Sequence, residues 1–395
     1  MLTLCASLAV CGTLTRGAPS QSAAPGEASF LVILTGPGAE ATQTARRWSG
    51  PASARGWTTQ VVSLRQQPAP DDATVKAVEA ALAAHAAAPE RTYLIGEGQA
   101  ASAIFYLTSR RPDLCAAALA VGGGPRAAIE SNRLFAANTL LTPVLWIPPP
   151  GDPTVEAFSA RLREAGYRLV APPKSDLTVA EALDWLEAQR RDRFPLKVDC
   201  ETGHPEFTRC YWVTITRLDF TRRNDVLASS RVAPGSGAYL SLGPFGFDPA
   251  APGPGVLIGW LPTGYPGPLR TGDRIVAVGG KQISDARAYI ALMEQQAEAR
   301  DTAVIILREG RRLRLETRIL LPRREELETA RVQAEFLPEE REILIVSRGA
   351  AALELRLPES WTPARINWNG LEAGAATQGG CWQLSEAMPA RPCAP

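Results

Sequence analysis

The sequence predicts a multidomain chain of three kinds of unit: an α/β doubly wound parallel sheet, a small α+β module and a β-sandwich. Three observations carry that prediction. Strand-like and helix-like stretches alternate from residue 28 to 193, as parallel strands joined by crossover helices do. Residues 197–221 and the stretch from 330 to 384 show strand patterns without helix patterns. Between them, residues 224–322 hold their own strand, glycine-rich turns, amphipathic helix and hairpin. At 395 residues the chain exceeds one ordinary core, and 45% hydrophobic with 21% charged residues describes globular units.

Residues 1–27 read as a leader. A short apolar run, from Met1 to Leu14, precedes small and polar residues, as in a secretory signal without its basic n-region. Leu8-Ala9-Val10-Cys11 comes near a bacterial lipobox, with Val10 larger than the usual residue before the cysteine. The expectation is export, to a periplasm or cell envelope, with a cytoplasmic location if the leader is not functional. Lipidation at Cys11 stays open. No later apolar run is long enough to span a bilayer. The 42 basic and 41 acidic residues leave a net charge of +1 and form no basic stripe, which argues against a nucleic-acid partner.

The first unit spans residues 28–193. Its strand candidates are 30–34, 58–64, 92–95, 116–121, 143–147 and 167–171. Helix candidates are 42–48, 72–85, 100–109, 127–136, 154–165 and 179–190. Leu34-Thr35-Gly36-Pro37-Gly38 follows the first strand, Gly96-Glu97-Gly98-Gln99-Ala100 the third, and Gly151-Asp152-Pro153 the fifth. This arrangement resembles an α/β-hydrolase, whose nucleophile elbow is G-x-S-x-G. The resemblance places the elbow at Gly96, Gly98 and Ala100, with glycine at the nucleophile position. It places the histidine loop at residues 171–176, which contain no histidine. His85 precedes the elbow, and His204 follows the last helix of the unit. Ser102 falls one helical turn into the next helix and points away. The elbow is therefore degenerate, and no catalytic residue is assigned. Asp152 reads as a turn or capping residue. A rival reading takes Gly96-Glu97-Gly98-Gln99-Ala100-Ala101 as the dinucleotide pattern G-x-G-x-x-A. It lacks the acid expected about 20 residues on, where 115–121 is an apolar strand. No cofactor is implied.

Residues 195–223 with 328–395 form the sandwich. The run 209–220 alternates as a half-buried strand, and one strand makes no sheet. Its partners are 330–336, 342–346, 352–357, 364–368 and 381–384, with a turn at Asn367-Trp368-Asn369-Gly370. The layout resembles exported hydrolase-like proteins with an R-x-Y-W strand after the catalytic domain and a closing β-sandwich. Trp361, Trp368 and Trp382 read as core, with a glycan-binding surface as the alternative. Cys200/Cys210 and Cys381/Cys393 are close pairs open to disulfide formation in an exported protein. Cys115 reads as a buried thiol. With two histidines and no C-x-x-C, no metal site is expected.

Within the module, the strand 255–261 and a Pro/Gly-rich turn precede Gly272-Asp273-Arg274-Ile275-Val276-Ala277-Val278-Gly279-Gly280. An amphipathic stretch 285–297 follows, with Ala288, Ile290, Ala291, Leu292 and Met293 on its apolar side. Strands 302–308 and 313–321 flank Glu309-Gly310. The stretch resembles a PDZ domain, which binds peptides by strand addition and catches a terminal carboxylate on loop amides. The resemblance implies peptide-binding residues Tyr239, Leu240, Ser241, Leu242, Gly243 and Phe245, with Asp285 opening the helix. It also places the peptide as a strand beside 239–242. Pro244 removes one donor from that loop. The function expected is a non-catalytic envelope scaffold whose partner is a peptide or protein C-terminus. The alternative is an esterase or peptidase of the α/β-hydrolase class with a non-standard site. A small-ligand pocket in the first unit is a third reading.

Overall fold

The computed structural model describes residues 29–65, 70–85, 89–152, 154–172, 177–249, 251–323, 327–385 and 388–394. The leader 1–27, Cys11 and residues 173–176 of the expected histidine loop lie outside the described residues.

The first unit runs β1 (Phe30–Thr35), α1 (Ala39–Ala54), β2 (Thr58–Ser63), α2 (Asp72–Ala84), β3 (Thr92–Glu97), α3 (Ala101–Arg110), β4 (Ala117–Val121), α4 (Arg126–Glu130), β5 (Val144–Ile147), α5 (Val155–Glu164), β6 (Leu169–Val170) and α6 (Val179–Glu187). The strands form one parallel sheet in the order β2-β1-β3-β4-β5-β6. Side chains alternate across a strand, so β1 feeds two cores. Phe30, Val32 and Leu34 join a cluster with α2, α3 and α5, while Leu31 and Ile33 join another with α1 and α6. Helices therefore cover both faces, and both faces need apolar strands.

Local signals set several helix ends. The Asp71 carboxylate accepts from the Thr74 amide at 3.0 Å to start α2, and Thr178 with Glu181 forms a capping box on α6. Two helices depart from the pattern read in the sequence. Helix α1 passes through Pro51 to Ala54 rather than stopping at 48, because Trp48 and Ala52 are buried against the sheet. Burying a large apolar side chain such as Trp48 is worth about 1.5–3 kcal/mol, which offsets a lost backbone donor. The expected helix 127–136 shortens to α4, since Asn132 turns the chain at φ 59° and Phe135 forms a bridge to Arg231.

Next come β7 (Lys197–Thr202), β8 (Arg209–Cys210) and β9 (Val213–Leu218). The module contains β10 (Tyr239–Leu240), β11 (Gly246–Phe247), β12 (Val256–Trp260), β13 (Arg274–Val278), β14 (Lys281–Gln282), α7 (Ala286–Glu294), β15 (Arg300–Arg308) and β16 (Arg311–Leu320). The chain ends with β17 (Ala330–Leu337), β18 (Glu342–Arg348), β19 (Ala350–Leu357), β20 (Ala364–Trp368), β21 (Leu371–Ala376), β22 (Gly380–Ser385) and β23 (Met388–Pro392).

Strands from before and after the module combine in two sheets, β21-β20-β18-β17-β7 and β23-β22-β19-β9-β8. One cluster of buried residues fills the space between them. Trp361, Trp368 and Trp382 are buried in it, so they do not form an exposed aromatic surface. Disulfides join Cys200 to Cys210 and Cys381 to Cys393. Cys115 is a buried free thiol, and burial pushes its pKa up to about 12.

Glu201 on β7 ties the units together. Its buried carboxylate accepts from Ser229 Oγ at 2.5 Å, from the Ser230 amide and hydroxyl at 2.6 Å each, and from Thr329 Oγ1 at 2.6 Å. Those residues lie on the chain passages into and out of the module. The Glu201 amide donates to Asn138 Oδ1 at 2.6 Å, which links the sandwich to the first unit. Residues 224–232, grouped with the module in the sequence reading, pack on the other two units. Val232 is buried in the core of the first unit, and Asn224 donates to the Ser347 carbonyl at 3.2 Å.

Candidate functional site

Two clefts bring together most of the residues singled out in the sequence, while Leu242, Asp285 and Gly96 line neither. The first, of about 640 Å³, borders the module. The module's sheet runs β10-β16-β15-β13-β12-β11, so β10 and β11 are its two edges, joined by the loop 241–245. Tyr239, Leu240, Ser241, Gly243, Pro244, Phe245 and Phe247 line the cleft with Tyr289, Ile290 and Met293 of α7.

The loop owes its shape to glycine and a tyrosine. Gly243 has φ +81°, and an added Cβ would lie 2.8 Å from the Tyr265 ring. The Tyr265 hydroxyl donates to the Leu242 carbonyl. Ser241 uses its amide on the Arg318 carbonyl at 2.8 Å. The amides of Leu242, Gly243 and Phe245 make no hydrogen bond among the described residues. Successive amides around a left-handed glycine form an anion-binding concavity.

The GD pair holds the scaffold behind this loop. The Asp273 carboxylate receives Arg308 Nε and Nη2, each at 2.8 Å, and the Arg270 amide at 2.7 Å. Burial works to raise its pKa, but the Arg308 guanidinium and the Arg270 amide outweigh that and hold it below the usual aspartate value. Asp285 caps α7, accepting from the Ala288 amide at 2.8 Å.

Three sequence expectations change here. Leu242 is buried in the module core and does not line the cleft. Ile290, read as core, is half-buried and faces the cleft, while Ala286, Tyr289, Leu292 and Met293 form the buried side of α7. The short strand β11 has no counterpart in the sequence analysis, because two residues carry no alternation signal. Its Phe247 ring meets Tyr289 edge-on at 5.7 Å.

The second cleft, of about 840 Å³, lies where β3 meets α3. Gly98 takes φ 61° at the sharp turn. A Cβ on Gly96 would sit 2.4 Å from the Ala100 carbonyl oxygen, and one on Gly123 would sit 2.1 Å from the Gly98 carbonyl oxygen. The turn is thus packed tightly around glycine, and residue 98 carries no side chain. Gly36, Arg65, Gln99, Ser102, Arg126 and Glu130 also line this cleft. Ser102 was expected to point away; it lines the cleft, but its hydroxyl accepts from the Ala128 amide at 3.0 Å.

No histidine lines the cleft among the described residues. His85 Nδ1 lies 2.9 Å from the Ala81 carbonyl, and His204 Nε2 lies 4.0 Å from Asp72. Asp152 accepts from the Thr154 amide at 2.8 Å and its hydroxyl at 2.7 Å, the turn role of the two read in the sequence, since Thr154 is itself the residue at the start of α5. The cleft does sit at the point where strand order reverses, between β1 and β3, a common ligand position in open α/β sheets.

No protein-family model matches the chain. No curated protein matches it either. Among solved structures, the chain is similar to one described as the crystal structure of a thermostable esterase, with 18% identity and a TM-score of 0.31. That similarity covers 42% of this chain and 57% of the esterase chain. A likeness of that size assigns neither an activity nor a substrate. No helix among the described residues is long and apolar enough to cross a membrane.

Proposed function

We propose that the chain is a peptide-binding scaffold. The module acts as a PDZ-like domain, carried on an α/β-hydrolase-like unit that lacks a nucleophile and a base. The observation that carries the reading is the loop 241–245, which offers three unpaired amides at one end of an apolar cleft bordered by an edge strand. A terminal carboxylate sits on those amides, and the last apolar side chain enters among Phe245, Tyr289, Ile290 and Met293. The peptide backbone adds to β11 rather than to 239–242. The Ser241 amide is already paired, and Tyr239 and Leu240 are already paired with β16. Backbone pairing supplies affinity, and the cleft wall supplies preference. Two disulfides favour an oxidising compartment, so the reading includes export.

The test is an array of C-terminal peptides, each as free acid and as amide, probed with the full chain. Free acids are expected to bind and amides to bind at least about tenfold more weakly, a loss of about 1.4 kcal/mol. Gly243→Val is expected to lower free-acid binding by a similar factor without unfolding the chain. A left-handed backbone costs a residue with a Cβ about 1–2 kcal/mol. Equal binding of acids and amides would remove carboxylate capture from the reading.

The non-catalytic part has its own test. Purified protein is expected to leave p-nitrophenyl acyl esters at background and to take no fluorophosphonate label. Stoichiometric labelling of one serine would identify an active site and overturn this part.

A further inference from the structure

The cleft beside the module has a second wall, made by the first unit. Arg126 and Ile129 of α4 and Phe158 and Arg161 of α5 contribute to it. Ion pairs hold α5 against α7, Arg161 to Glu294 at 2.9 Å and Arg287 to Glu156 at 3.9 Å. The charged side chains lining the cleft are Arg126, Glu130, Arg161 and Glu294, and the last two neutralise each other.

Arg126 stands apart from these pairs. It is exposed, and its guanidinium lies 5.4 Å from the centroid of the buried Phe158 ring. Among the described residues it has no carboxylate partner, not even Glu130 one helical turn on. A guanidinium beside an aromatic ring is readily stripped of water and offers a planar fork of donors that matches a carboxylate. The loop across the cleft is meanwhile one donor short, because Pro244 has no N–H.

We infer that the peptide site is built from both units, with Arg126 binding a carboxylate of the peptide whose end the module holds. This rests on the peptide-binding reading above. The carboxylate is that of the chain terminus or of an Asp or Glu side chain near it. Glu130 beside Arg126 repels further negative charge, so the site accepts one carboxylate and disfavours an acidic run. Arg126 and Glu130 also line the elbow cleft, so a single turn of helix separates the two cavities.

The experiment uses the full chain and N-terminally labelled decapeptides ending in Val, Leu, Phe or Ala. Each is made as free acid and amide, with and without one Asp among the three preceding residues. Arg126→Gln is expected to melt as wild type, since the side chain is exposed, and to weaken carboxylate-bearing ligands about tenfold. If the loss follows the free acids and spares the amides, Arg126 holds the terminus. If it follows the Asp-containing peptides in both forms, Arg126 holds the side chain. Glu130→Gln is expected to tighten the same ligands by a few-fold. Unchanged binding in Arg126→Gln, with binding lost in Gly243→Val, would overturn the two-unit site and leave the peptide reading standing. Wild-type protein that binds none of the peptides would overturn both.

Discussion

Replacing Glu201 with alanine is expected to destabilise the chain by about 3–5 kcal/mol, the cost of removing one partner from a buried charged network. Its carboxylate is fully buried and receives Ser229, Ser230, Thr329 and, at 3.4 Å, Arg348. Alanine would leave Ser229, Ser230 and Thr329 without this acceptor in a place water does not easily reach, while Arg348 would keep its bond to Thr329 Oγ1. It would also release both chain passages that bracket the module. The check is urea unfolding of the full chain with limited proteolysis. The midpoint should fall, and cleavage should rise first within 222–237 and around 327–330. Glu201→Gln keeps one acceptor oxygen and should lose less. A midpoint for Glu201→Ala equal to wild type would show that these bonds do not fasten the units.

Asp273→Ala is expected to cost the module about 3 kcal/mol, the lower end of the same range. Asp273 is 1% exposed and holds Arg308 through two bonds, so its loss separates the turn 270–273 from β15. Its pKa is held below the usual aspartate value by Arg308 and the Arg270 amide, against the opposing effect of burial. The sign follows from linkage. A carboxylate with a depressed folded pKa contributes stability above its unfolded pKa and loses it as pH falls through the folded value. Below about pH 4, the ordinary range for aspartate, wild-type protein should lose this contribution while Asp273→Asn, already without it, changes less. Hydrogen exchange of β12, β13, β15 and β16 between pH 3 and 7 measures the effect. Parallel pH profiles for wild type and Asp273→Asn would refute the assignment.

Much of the architecture was legible because it rests on short-range rules. The inner strands β1, β4 and β5 of the first sheet are near-continuous apolar runs, as strands covered on both faces must be. The tight turn after the third strand was legible too, because Gly96 and Gly98 are the residues such a turn calls for, and Gly98 takes φ 61° there. The interruption of the sandwich followed from a simple argument, that the strand at 209–220 needs partners and only downstream segments alternate.

Other features depended on the packed molecule. Nothing local to Ile290 distinguishes a core position from a cleft position. Both are apolar on an amphipathic helix, and only the seating of α7 on its sheet decides which side is covered. Strand β11 is two residues long and becomes a strand only through its pairing with Trp260 and Ile258.

Arg126 was not singled out in the sequence, where it is one arginine after three glycines. Composition, period and turn chemistry settle much of which segments form strands and helices. The meeting of Arg126 with the loop 241–245 is different. Both line one cleft although they lie more than a hundred positions apart, and long-range neighbours of that kind leave no periodic trace in a single chain.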